Sequence, residues 1–141
     1  MRRRRRALRA IAIACIAACL SLAATAHAQD CAAADDHASQ RACLERLAAE
    51  TDARLQAMEK RVSSRIALWG EAPVYIHGQQ ARFTAEKRTY RAYRDAACAF
   101  DADAAAGGNG AGDMRLQCRI DLDRARMARL EERLDWFELG D

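Results

Sequence analysis

The chain has 141 residues, 51% hydrophobic and 30% charged, with a formal net charge of +3. Six of its 23 basic residues precede residue 29 and all 20 acidic residues follow it, which leaves residues 29–141 with a net charge of −3. A chain of this length forms one domain. A mild negative charge disfavours binding to the phosphates of nucleic acids. We therefore expect no nucleic-acid partner.

Residues 1–28 have the pattern of a secretory signal peptide. Arginines at positions 2–6 precede an uncharged, alanine-rich stretch, and a small-x-small sequence ends at Ala28. The pattern predicts cleavage between Ala28 and Gln29, a mature domain of residues 29–141, and a periplasmic or secreted protein. A membrane span is disfavoured because the uncharged stretch, roughly 17 residues rich in alanine, is marginal for crossing a bilayer.

Cys19 gives the leader a second interpretation. The sequence Ile16-Ala17-Ala18-Cys19 resembles the cleavage box of bacterial lipoproteins, in which the cysteine carries a lipid anchor. The residues that follow remain apolar as far as the ordinary cleavage site, which favours the first interpretation. Both interpretations leave the same four cysteines downstream.

A first helix is predicted over about residues 39–69. Ser39 is a suitable N-cap, and Gly70 with Pro73 ends the helix. Side chains repeat at steps of three and four, as in a packed helix face. The predicted stripe consists of Leu44, Ala48, Thr51, Leu55, Met58, Val62, Arg65 and Trp69.

Residues 70–78 are predicted to connect the first helix to the second. Tyr75 and His77 in this connection are candidates for contact with a partner. The second helix is predicted over about residues 79–99, with Phe83 and Tyr90 on a narrow apolar face. It also carries a basic face. The simplest interpretation is that this face is solvated and that the long aliphatic parts of its side chains cover the core. That face consists of Lys87, Arg88, Arg91 and Arg94.

A glycine-rich loop over residues 101–113 precedes a third helix, predicted over about residues 114–137. No strand precedes the loop and no Gly-Lys-Ser/Thr follows it, so it lacks the features of a phosphate-binding loop. Three helices joined by such connections predict an all-α fold, a small antiparallel three-helix bundle.

The four cysteines of the mature domain predict disulfides. An even number of cysteines in an exported chain with only 25 large apolar residues is typical of a covalently stapled domain. Antiparallel packing of the second and third helices brings Cys98 close to Cys118, which favours the pairs Cys31–Cys43 and Cys98–Cys118. Four cysteines allow three pairings, and the other two remain open.

The residues do not predict an enzyme. The mature cysteines lack the Cys-x-x-Cys spacing of redox motifs and zinc sites. His37 and His77 lie in weakly patterned segments, and no serine-hydrolase motif is present. We therefore expect no catalytic residue, no metal and no cofactor.

The mature domain resembles the LprI-like lysozyme-inhibitor family of exported bacterial proteins. Three segments match the family's patterns: the cysteine pair with Asp52-x-x-Leu55, the run from Tyr90 to Cys98 with its Arg-Asp pair, and Cys118-x3-Leu122-Asp123-x2-Arg126-x3-Leu130. Four positions depart from the pattern. They are Thr51 for alanine, Gln56 for asparagine, Tyr90 for tryptophan and Asp123 for threonine.

The resemblance implies an envelope protein that binds and inhibits a lysozyme without catalysis. The matched residues also predict a structural charge cluster between the helices, made of Asp52, Arg94, Asp95 and Arg126. The alternative function is a structural or stress-related envelope module that binds another partner through the basic face of the second helix.

Reduction is expected to destabilise the domain strongly. Each disulfide contributes about 2–4 kcal/mol by restricting the unfolded chain, which is a large share of the stability of a small domain. Thermal unfolding of the mature protein with and without reductant measures this. A melting temperature unchanged by reductant would contradict the stapled bundle.

Overall fold

The structure, a computed structural model, describes residues 31–139. The predicted leader, its cleavage site at Ala28 and Gln29, and Cys19 lie outside the described residues. Within residues 31–139 there is no strand, and the all-α prediction is confirmed. A 3-10 turn (Cys31–Ala33) is followed by the helices α1 (His37–Ala67), α2 (Pro73–Asp103) and α3 (Ala111–Leu139).

Helix α1 begins two residues earlier than predicted because Asp36 caps it. The carboxylate of Asp36 accepts hydrogen bonds from the backbone N–H of Ser39 at 2.8 Å and from the Ser39 hydroxyl at 2.9 Å. These hydrogen bonds lower the pKa of Asp36 below its ordinary value. The prediction of Ser39 as the N-cap is therefore wrong, since Ser39 lies inside the first turn.

Helix α2 begins at Pro73, well before the predicted start near residue 79. Proline suits the first helical position because that position needs no N–H donor and its φ is already helical. The carbonyl of Ala72 accepts the N–H groups of Tyr75 and Ile76 at 2.9 and 3.3 Å. The predicted connection over residues 70–78 is therefore mostly helix.

The three helices run up, down and up. Between α1 and α2, the Ser63 hydroxyl donates to Gln80 at 2.9 Å, and the Gln80 amide donates to the Ser63 carbonyl at 2.6 Å. Between α1 and α3, Arg65 donates to the Phe137 carbonyl at 3.4 Å. These contacts set α1 parallel to α3, with α2 antiparallel to both.

The apolar core lies toward the end of the bundle where α1 leads into α2. Helix α2 contributes only one large apolar side chain to it, Phe83. The buried core residues are Leu55, Val62 and Ile66 from α1, Phe83 from α2, and Leu130, Leu134 and Phe137 from α3.

The buried stripe of α1 differs from the predicted one in its second half. Glu59 and Ile66 are buried where Met58 and Arg65 were predicted to be. A straight helix has 3.6 residues per turn, so its inward face drifts away from a strict seven-residue repeat. Glu59 therefore places a buried carboxylate in this stripe, which the seven-residue repeat does not predict.

The other half of the bundle is stapled. The two disulfides are Cys31–Cys43 and Cys98–Cys118, which confirms the predicted pairs. Cys98 and Cys118 join α2 to α3 with their Cα atoms 5.4 Å apart. Between these helices the chain reverses through Ala106 and Gly107, both with left-handed φ.

Candidate functional site: a buried ion-pair layer and the exposed apolar surfaces

Arg94 is the centre of a group of charged residues buried between all three helices. Only 4% of its surface is exposed. Its Nη1 donates to both carboxylate oxygens of Asp123 on α3, at 2.8 and 3.0 Å, and to Asp52 on α1 at 3.0 Å. Its Nε lies 3.5 Å from the carboxylate of the exposed Asp95. A single guanidinium therefore joins α2 to both of its neighbours.

Arg126 is the centre of a second group, closer to the apolar core. Its Nη1 and Nη2 donate to the two carboxylate oxygens of Glu86 at 2.7 and 2.9 Å. Its Nε donates to the buried Glu59 at 3.3 Å, and Arg91 donates to the other Glu59 oxygen at 3.0 Å. Each buried charge in this group therefore has an opposite partner, as burial requires.

Tyr90 links the two groups. Its hydroxyl donates to Asp123 at 2.7 Å, and its ring lies 4.3 Å from the guanidinium carbon of Arg126, in cation–π contact. We call Asp52, Glu59, Glu86, Tyr90, Arg91, Arg94, Asp123 and Arg126 the ion-pair layer.

Four ionised groups of the layer have pKa values shifted toward their charged forms: Asp52, Glu86, Arg94 and Arg126. Burial opposes the charging of Arg94, but hydrogen bonds to Asp52 and Asp123 outweigh it and raise the Arg94 pKa. Burial likewise opposes the ionisation of Asp52, yet the Arg94 contact leaves its pKa lowered. The hydrogen bond from Arg126 lowers the pKa of Glu86. Burial, followed by the bond to Asp123, raises the pKa of Tyr90.

The residues of the predicted charge cluster do not form a single group in the structure. Asp52, Arg94 and Asp95 lie together, whereas Arg126 bonds to different carboxylates. Asp123, Glu59 and Glu86 were not predicted as members. The sequence does contain a signal that Asp123 is buried, because this residue falls in the apolar stripe of α3 between Ile120 and Met127.

Tyr75 and His77, predicted in a loop, lie in the first two turns of α2 and are both exposed. The loop prediction is wrong because Pro73 starts the helix. Tyr75 remains part of an apolar surface at that end of the bundle. The large exposed side chains there are Leu68, Val74, Tyr75 and Trp136.

The predicted basic face of α2 is divided among different surroundings. Arg94 is buried, Arg91 is paired with Glu59, and Lys87 lies 5.3 Å from the centre of the Phe83 ring. Of the four, Arg88 alone is exposed. The prediction of a shared solvated face is therefore wrong for Arg94.

The layer is suited to holding the three helices together. Its side chains contact one another, and the four described cysteines are disulfide-bonded. Among residues 31–139, no group of three or more His, Cys, Asp or Glu side chains is arranged to hold a metal ion. In that same part of the chain, no helix is both long enough and apolar enough to cross a membrane.

These features define a class: a small α-helical domain held by two disulfides and a buried ion-pair layer. The family model for the lysozyme inhibitor LprI matches residues 28–130, and the chain belongs to this family. No curated protein matches the chain. No solved structure matches it either.

Replacing Asp123 tests the ion-pair layer. Asp123→Ala is expected to lower the free energy of unfolding by about 3 kcal/mol, because it leaves the buried Arg94 with Asp52 as its main partner. The matched control is Asp121→Ala, on the exposed side of the same helix, with an expected change within about 0.5 kcal/mol. Urea denaturation followed by far-UV circular dichroism measures both. Equal losses in the two variants would contradict the role of Asp123.

Acid is expected to weaken the same layer. The pKa values of Asp52 and Glu86 are lowered in the folded state from ordinary values of 3.8 and 4.5. Their stabilisation is therefore fully present above those ordinary values and is lost as the pH falls through the folded-state values. The free energy of unfolding, measured from neutral pH downward, should decline below about pH 4.5.

The control for this pH dependence is the double variant Asp52→Asn, Glu86→Gln. It lacks both titrating groups, so its free energy of unfolding should change less with pH in the acid range. If the double variant and the wild-type protein gave parallel pH profiles, these two carboxylates would not be the source.

Proposed function

We propose that the protein is exported, loses residues 1–28, and acts in the periplasm or outside the cell as a domain of residues 29–141. The basic, apolar and small-residue sequence of the leader supports export. The two disulfides support an oxidising compartment, where such bonds persist.

In that compartment the domain inhibits a lysozyme by protein–protein contact. The observation that carries this proposal is the match to the lysozyme inhibitor LprI family over residues 28–130. The net charge of −3 on residues 29–141 also supports it, because lysozymes are typically basic and opposite charge speeds association.

Inhibition of this kind needs no catalytic group in the inhibitor. The ion-pair layer is engaged within the bundle, so the contact with lysozyme falls to exposed residues. The exposed apolar surface includes one region at the end with Tyr75 and Trp136 and another near Phe100. The alternative, a stress-related module that binds through the basic face of α2, has less support because Arg94 and Arg91 are engaged within the bundle.

An inhibition assay tests the proposal. Purified mature protein at micromolar concentration is expected to slow the clearing of a bacterial cell-wall suspension by lysozyme. An unrelated acidic protein of similar size and charge is the control for nonspecific attraction to a basic enzyme. Clearing at the same rate with and without the mature protein would refute the lysozyme-inhibitor function.

A further inference from the structure

Phe100 is the most exposed large apolar side chain among those described, at 79%. It lies near the C-terminal end of α2, beside a groove of about 580 Å³ between this end and the start of α3. Met114 on α3, also exposed, lines the same groove. Phe100 and Met114 therefore form an apolar surface at this groove that the bundle leaves uncovered.

Two carboxylates line the groove, Asp101 and Asp103, both in the last turn of α2. The carbonyl groups at a helix C-terminus carry partial negative charge, so cations are favoured there and carboxylates are disfavoured. This turn contains no basic residue. Within residues 31–139 neither carboxylate has an ion-pair partner, whereas nearby Asp113 is paired with Arg41 at 2.9 Å. Asp101 and Asp103 therefore break a rule of helix stability with no compensating contact.

The groove is held on a rigid frame. The Cys98–Cys118 disulfide lies two residues before Phe100 and one residue after Gln117, which also lines the groove. The two walls are thus covalently joined at their base. A surface fixed in this way loses little conformational entropy on binding.

We infer that this groove is the surface that binds lysozyme, and that it receives a lysine or arginine side chain of the enzyme. The inference rests on the proposed function. An aliphatic stem lies against Phe100 and Met114, while the cationic head contacts Asp101 and Asp103. The Phe100 ring adds a cation–π contact with the same cationic head. The groove therefore combines an aromatic anchor with charge complementarity.

The groove places its two carboxylates in the same cavity as Phe100 and Met114, so that it can hold an apolar stem and a cationic head together. The acidic rim also repels phosphate groups, which disfavours an anionic lipid or nucleic acid. A basic protein surface is the occupant that fits both the apolar wall and the charge.

The test compares two variants with the same change in charge and the same loss of one aromatic ring. The groove variant carries Phe100→Ala, Asp101→Asn and Asp103→Asn. The matched control carries Tyr93→Ala, Glu131→Gln and Glu132→Gln, all at exposed positions away from the groove. Calorimetry measures the Kd for lysozyme at low and high salt, and the cell-wall assay measures inhibition.

The groove variant should bind lysozyme at least about tenfold more weakly than wild type, with a smaller dependence on salt. The control should bind within about twofold of wild type. The groove variant should also unfold at the same or a higher temperature, because it loses two carboxylates from a helix C-terminus. This result separates lost binding from lost folding.

Each outcome bears on the inference. If wild type inhibits lysozyme and the groove variant binds it equally well, the groove is not the site, although the proposed function stands. If wild type binds without inhibiting, and the groove variant loses binding, the groove stands and the inhibitory function fails. Absence of binding by wild type overturns both. Equal weakening in the two variants, or a concentration-dependent dimer of wild type that the groove variant abolishes, also overturns the inference.

Discussion

The contact between Arg94 and Asp123 is the interaction on which the packing of α2 depends. Helix α2 has 31 residues but buries only one large apolar side chain, Phe83, near its beginning. Beyond that residue it is attached mainly by polar contacts and one disulfide. The residues that make them are Glu86, Tyr90, Arg91, Arg94 and Cys98. A hydrophobic seam cannot hold this half of the helix because its sequence does not supply one. The polar contacts therefore take over the role that leucine and valine have in an ordinary bundle.

This arrangement fixes the alignment of the helices as well as their association. Apolar side chains tolerate small sliding movements of one helix along another. The Arg94 guanidinium does not, because it donates to Asp52 on α1 and Asp123 on α3 and so requires both carboxylates at the same level along the bundle axis. A shift of α2 by one turn would leave the buried Arg94 unpaired, at a cost of several kcal/mol. Arg126, with Glu59 and Glu86, imposes the same requirement about one helical turn further along α3. Two polar levels thus specify one register, a role well attested for buried polar residues in coiled coils.

The sequence was sufficient to predict three helices, because helical periodicity is a local signal. It favoured the observed disulfide pairs through the expected antiparallel packing of two helices, without excluding the other pairings. It was insufficient for the helix starts, where Asp36 rather than Ser39 caps α1 and Pro73 opens α2 instead of closing α1. The ion-pair layer was predicted only in part, since charged residues within a helix usually indicate a solvated surface. Glu59 was missed because the strict seven-residue repeat selected Met58. Burial of a charge depends on a partner from another helix, and a single sequence does not show which helices face each other.

The Cys98–Cys118 disulfide closes a segment that contains the end of α2, the turn through Ala106 and Gly107, and the start of α3. A peptidase that cuts the chain within this turn severs one backbone bond but releases no fragment, because the sulfur bridge still joins the two parts. Both helices also keep their contacts with α1. A protein built in this way remains a single molecule after one cut in this turn.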